Sequence, residues 1–218
     1  MKRLLSCEHA SATVPADFAA AAIPAAWLDS HRGWDPGAAT VAKALARRWS
    51  CPVHLGAFTR LLIDLNRSAG HRAVLSPYSR RLPAERVAAL RDRHYDYQQA
   101  VRRDVSDSTP VLHLSIHSFT PALDPAHRNF DLGLLYDPGR PRERELARVL
   151  QQRLRACGWQ VRRNAPYRGT ADGLTRILRR DFSDEHYAGL EIEINQALVT
   201  TQALRRLTTD LAAAVDTL

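Results

Sequence analysis

The stretch "TPVLHLSIHSF", Thr109 to Phe119, decides the fold. Bounded by Pro110 and Pro121, it reads as a strand. Its end carries His117 and Ser118 after a buried-looking apolar run. A histidine there is either a core residue satisfied by a backbone carbonyl or one ligand of a metal. The second reading obliges the rest of the chain to supply the other ligands.

Outward from this strand, apolar strands and amphipathic helices alternate. Residues 3–7 form a short strand ending at "EHAS", and residues 24–27 open a short helical piece. "GWDPGAATVAKALARRW" holds a turn and then a helix, with Val41, Leu45 and Trp49 at helical spacing. "PVHLGAF" and "RLLIDLNRS" are expected as strands. In the second, Leu61, Ile63 and Leu65 would share one side, with Asp64 and Asn66 on the other. A long helix is expected over 84–104. "DLGLLYDP" follows as a strand and "RERELARVLQQRLRACG" as a helix capped by Gly158. "QVRRNAPYRG" is a strand entering a loop, "GLEIEINQAL" a strand, and 200–217 a closing helix. The alternation predicts an α/β three-layer sandwich: a mixed, mostly parallel sheet with helices on both faces. At 218 residues, with no repeat or linker, one domain spanning 1–218 is expected.

Composition narrows the class. Hydrophobic residues make up 45% and charged residues 25%, the balance of a globular protein that buries its own core. The three cysteines are scattered, which argues against a disulfide framework or a cysteine zinc cage. No apolar run reaches the roughly 20 residues that span a membrane, and no secretory core follows Met1. A cytoplasmic protein is expected. The net charge of +8 invites a nucleic-acid partner. The excess is nearly all arginine, however, spread in pairs along several helices, which reads as solvated faces. An acidic small substrate uses positive potential equally well.

Polar residues gather at four segment ends: "SCEHAS", "LIDLNRS", "SIHSF" and "LEIEINQ". Open α/β sheets bind ligands at the carboxyl ends of their strands. Buried charge there is costly unless paired or bound to metal. A catalytic zinc takes three ligands from histidine and carboxylate and keeps a position open for water. His9 and His117 are the histidine candidates. Asp35, on a turn before a helix, is the preferred carboxylate. Glu8 is the alternative, handicapped because adjacent residues on a strand point to opposite faces. A carboxylate off the metal is then needed as general base, and Glu191 and Glu193 lie on one side of one strand. Arg67 suits a substrate carboxylate because guanidinium binds it bidentately. Ser118 is not read as a nucleophile, since no G-x-S-x-G elbow is present. His31 is taken as a turn residue, with contact to the metal or substrate as the alternative, and His113 as a surface or strand residue without chemistry.

Taken in order, "SCEHAS", "HRGWDPGA", "DLNRS", "SIHSFTP", "RNFDLGLLYDP", "NAPYRG" and "LEIEINQAL" resemble the N-formylglutamate amidohydrolase family from about Ser6 to Leu198. That family is similar in fold to the zinc carboxypeptidases. The resemblance implies a zinc ligand at His117, a substrate-carboxylate site at Asn66 and Arg67, and the base at Glu193. It also tips Asn164 and Tyr167 from a rigid proline turn towards a substrate lid. Ser118 joins the substrate-binding set, and Arg128 is expected to help the metal stabilise an oxyanion. The family pattern usually has glycine where Ala10 stands and arginine where Asn195 stands. The implied function is metal-dependent hydrolysis of an N-acyl amino acid, such as N-formylglutamate, with Zn2+ or another divalent ion. A carboxypeptidase-like peptidase and a non-catalytic protein binding anions or nucleic acid are the alternatives.

Overall fold

The computed structural model describes residues 1–106, 109–123 and 126–218. The strands are β1 (Lys2–Cys7), β2 (Val53–Leu55), β3 (Val111–Phe119), β4 (Ala122–Leu123), β5 (Ala126–His127), β6 (Leu132–Leu135), β7 (Val161–Arg163) and β8 (Tyr187–Asn195). The helices are α1 (Ala25–Leu28), α2 (Ala38–Trp49), α3 (Ala84–Val105), α4 (Pro141–Ala156), α5 (Leu174–Asp181) and α6 (Thr201–Asp216). Six strands form one sheet in the order β2-β1-β3-β8-β6-β7, and β4 pairs with β5 separately. Every pairing in the large sheet is parallel except β6 against β8.

Helices cover both faces. On one, Leu114 and Ile116 of β3 and Leu190 and Ile192 of β8 pack against Val41 and Leu45 of α2, Leu150 of α4 and Leu211 of α6. Each such side chain taken fully out of water contributes about 1.5–3 kcal/mol. On the other face, Leu4, Val111 and Tyr187 lie against Val101 and Val105 of α3 and Leu174 and Leu178 of α5. This second face turns polar towards the carboxyl ends of its strands. Ser6 pairs with Ser115, Ser115 with Glu191, and His117 with Glu193, so these side chains share one side. All nine residues of β3 and all nine of β8 are buried. The two glutamates of β8 therefore belong to a central strand, not to a wet edge.

Two expectations are corrected and one element is added. "RLLIDLNRS" is not a strand: it makes a single antiparallel bridge, Ile63 to Leu75. Asp64 accepts from the backbone N–H of Asn66 at 3.0 Å, and its carbonyl accepts from that of Arg67 at 3.1 Å. Such local bonds offer the backbone an alternative to a ladder. "PVHLGAF" keeps only Val53–Leu55 as strand. At Gly56 the chain approaches Glu8 so closely that a Cβ would lie 2.0 Å from its carbonyl oxygen. Helix α5 was not foreseen. Its eight residues give only Leu174 and Leu178 as a buried apolar pair, a short signal between arginines. Gly133 is explained by close backbone approach: a Cβ there would sit 2.0 Å from the Ala165 carbonyl oxygen.

Candidate metal centre

The site begins where β1 ends. His9 follows the strand, and its carbonyl accepts from the backbone N–H of Asp35 at 2.9 Å, which ties the turn before α2 to β1. His117 comes in from the end of β3. Nδ1 of His117 lies 2.9 Å from Oδ2 of Asp35, and Nδ1 of His9 lies 3.4 Å from the same oxygen. One ligand atom from each of the three residues lies within 4.8 Å of the others, and all three residues are buried.

What aims the imidazoles is behind them. Nε2 of His9 is 2.7 Å from Oδ1 of Asp64, and Nε2 of His117 is 2.9 Å from Oε2 of Glu8. Each ring thus meets a carboxylate at Nε2 and presents Nδ1 to the centre. Histidines that bind metals usually have the second ring nitrogen held by such a partner, which fixes tautomer and orientation. Glu8 therefore stands behind His117, not beside Asp35. Its Oε2 also accepts from the Ser115 hydroxyl at 2.7 Å, and its Oε1 from that of Tyr97 at 3.2 Å. Asp64 bonds Arg60 at 2.7 Å and His9 at 2.7 Å, while Nε of Arg67 is 3.7 Å away. Its main service is to His9 and Arg60.

The electrostatics follow from burial and pairing. Burial alone would raise the Glu8 carboxyl, but the His117 imidazole and the Ser6 and Ser115 hydroxyls hold it down at about 2. Burial likewise works against Asp35 and is outweighed by the two imidazoles, which keep it ionised. Burial disfavours charge on His117, and Asp35 and Glu8 overcome it, so His117 holds a proton well above its ordinary range. Two imidazoles around one carboxylate oxygen suit a positive charge. Two nitrogen donors and one carboxylate oxygen also match the donor set of a divalent ion that keeps an open position.

Glu193 behaves differently. It lies beside His117 in the β3–β8 ladder, yet its Oε2 is buried without a hydrogen-bond partner among the described residues. Burial pushes its pKa up to about 7, with Asp35 and Glu191 adding to the rise and His117 opposing it. Glu191 instead accepts from the Thr175 hydroxyl at 2.5 Å. Beneath them, His113 is buried between the Ser6 hydroxyl and the Tyr187 hydroxyl, each 2.8 Å away. It is a core side chain with both nitrogens occupied.

A cavity of about 290 Å³ opens onto this cluster. His9, Asp35, His117, Ser118, Asn66, Arg67, Tyr167 and Glu193 all line it. Asn66 is held by its Oδ1, which accepts from the Leu174 N–H at 2.7 Å at the start of α5, while its amide nitrogen is 3.4 Å from Nε2 of His117. Arg67 donates to the Asp172 carbonyl at 3.0 Å. Ser118 accepts from Gln196 at 3.2 Å. Two expected residues stand outside the wall. Arg128 lies 5.1 Å over the Tyr167 ring and 5.7 Å over Phe119. Asn164 spends its Oδ1 on the backbone N–H groups of Tyr136 at 3.0 Å and Gly169 at 3.1 Å. Arg60, Arg168, Asp172 and His31 line the cavity without having been singled out as site residues. In a chain this rich in arginine, no local pattern marks Arg60, and Arg168 is marked only by its place in "NAPYRG". His31 could be suspected only from its nearness to Asp35.

Among the described residues no helix is long and apolar enough to cross a membrane. Among curated proteins, none matches this chain. The fold is similar to that of a gene product of Agrobacterium tumefaciens, with 26% identity and a TM-score of 0.80, covering 99% of this chain and 91% of that one. It is also similar to the N-formylglutamate amidohydrolase from Ralstonia eutropha, with 21% identity and a TM-score of 0.73, covering 97% of this chain and 90% of that one. The family model for N-formylglutamate amidohydrolase matches residues 1–200, nearly the whole chain. With its mixed sheet and its buried polar cavity, the chain belongs to the N-formylglutamate amidohydrolase family.

Proposed function

We propose that the protein is a zinc-dependent amidohydrolase that cleaves the amide of an N-formyl amino acid, such as N-formylglutamate, to formate and the free amino acid. His9, Asp35 and His117 would hold the ion. A divalent ion there supplies a Lewis acid for the formyl oxygen and lowers the pKa of a water. Glu193 takes a proton from the attacking water as it adds to the formyl carbon. The same carboxyl then passes that proton to the amine nitrogen as the C–N bond breaks. A carboxyl whose pKa is raised by burial is suited to both transfers. Arg60, held against Asp64 and lining the cavity, faces the negative charge that develops on the formyl oxygen. Asn66 and Arg67 bind the carboxylate of the amino acid, and Ser118 and Tyr167 close the remaining wall.

One observation carries this reading. Glu193, whose Oε2 is buried and unpartnered among the described residues, lines the same cavity as three converging donor atoms, and the two imidazoles among these are braced from behind by Glu8 and Asp64. The test is release of formate from N-formyl-L-glutamate by the purified protein, before and after removal and return of zinc. Loss with chelation and recovery with zinc are expected. Full activity in the chelated, metal-free protein would overturn the metal role.

A further inference from the structure

Of the three guanidinium groups on the cavity wall, one has no hydrogen-bond or ion-pair partner among the described residues. Arg60 is committed to Asp64 at 2.7 Å. Arg67 gives one amino group to the Asp172 carbonyl at 3.0 Å, with its Nε 3.7 Å from Asp64. Three of the four acids of the wall are also engaged, Glu193 being the exception. Asp172 accepts from the Ser68 N–H at 3.0 Å, Glu191 from the Thr175 hydroxyl at 2.5 Å, and Asp35 lies between two imidazoles. Arg168 lines the same cavity, and among the described residues its guanidinium meets neither a carboxylate nor a carbonyl.

Its backbone, by contrast, is fixed. The Arg168 carbonyl accepts from the Ala171 N–H at 2.9 Å. The next residue, Gly169, donates its N–H to Asn164 at 3.1 Å and accepts from Arg179 at 2.6 Å. Gly169 packs so tightly on Tyr136 that a Cβ would lie 2.2 Å from its backbone nitrogen. A free guanidinium on an anchored backbone, at the mouth of a polar cavity, is suited to bidentate capture of a carboxylate.

We infer that Arg168 is a specificity-determining residue that binds a second anionic group of the substrate, the side-chain carboxylate of an acidic amino acid. Asn66 and Arg67 then serve the carboxylate common to all amino acids. The inference rests on the N-formyl amino acid reading above and adds the substrate's side chain to it. Arg179 and Asn164 act on it only through the backbone they hold.

The test compares N-formyl-L-glutamate with the uncharged, equally shaped N-formyl-L-glutamine, using the zinc-loaded protein and its Arg168→Gln and Arg168→Lys variants. Arg168 is exposed, so both variants keep the fold, and their melting temperatures check this. The wild type should favour the glutamate compound in kcat/KM by roughly 10- to 100-fold, the range a charged hydrogen bond supplies. Arg168→Gln should bring that ratio close to one by raising KM for the glutamate compound alone, with kcat kept. Arg168→Lys should retain part of the preference. An active Arg168→Gln protein with an unchanged ratio, or with equal losses on both compounds, overturns the inference and leaves the amidohydrolase reading standing. A wild type that hydrolyses neither compound sinks both.

Discussion

Successive residues of β8 go to two different places. Leu190, Ile192 and Ile194 enter the dry layer beneath α2, α4 and α6. Glu191 and Glu193 enter the cavity opposite, beside Ser115 and His117 of the neighbouring strand. The two faces share one backbone and one ladder of hydrogen bonds. The apolar face supplies free energy of folding, and the polar face spends some of it to keep a carboxyl without a partner. The second face is tolerated because the first is complete. A period of two lets the sequence write both at once.

Changes at neighbouring positions of β8 should have the largest effects. Glu193→Gln should lower kcat by at least about 100-fold, the lower range for removal of a general base. Its melting temperature should not fall, because the oxygen replaced has no partner. Ile192→Ala, one residue away, should cost about 2–5 kcal/mol of stability by leaving a cavity in the dry layer. Steady-state kinetics and denaturant titration of the pair separate the two faces. A Glu193→Gln protein with wild-type turnover would put the chemistry elsewhere.

A smaller effect lies behind the imidazoles. Glu8→Gln and Asp64→Asn keep shape but remove the charge that meets Nε2 of His117 and of His9. Each should weaken zinc binding by about 10- to 100-fold, read by competition against a chelator of known affinity. Affinities equal to the wild type would mean that the carboxylates serve the fold alone.

The smallest effect is a pH dependence of the metal-free protein. Glu193 has a folded pKa of about 7 against an ordinary 4.5, raised first by burial. The folded state therefore keeps this proton to higher pH than the unfolded chain does. The contribution is full below the unfolded value and is lost as pH rises through the folded one. Between pH 6 and 8 the wild type should lose about 1 kcal/mol more than Glu193→Gln. Equal losses in the two proteins, measured by denaturant titration, would contradict a raised carboxyl.

Much of this was legible in the sequence because the polar face is written as alternation. Ser115, His117, Glu191 and Glu193 each sit two apart in an apolar run, and the register of β3 with β8 sets them side by side. The α/β alternation gave the mixed sheet, and its order required the coordinates. The segment around Asp64 misled. Its alternation resembled a strand, and the local bonds of Asp64 to Asn66 and Arg67 turned it into a loop that delivers a carboxylate to His9. The pairing of Asp64 with His9 joins residues 55 positions apart, and no spacing rule reports it. The same holds for Arg60, which the sequence does not distinguish from the other arginines, and for Arg168, which is marked only by its place in "NAPYRG". Only the cavity wall separates them from solvated ones.

We propose that the polar face ends in a divalent-ion site made by His9, Asp35 and His117. A crystal structure of the zinc-loaded protein tests it most directly. The account expects one ion about 2.0–2.2 Å from Nδ1 of His9, Nδ1 of His117 and a carboxylate oxygen of Asp35, with Glu193 beside its open position. An ion held through Nε2 of either histidine, or bound away from this cavity, would contradict it.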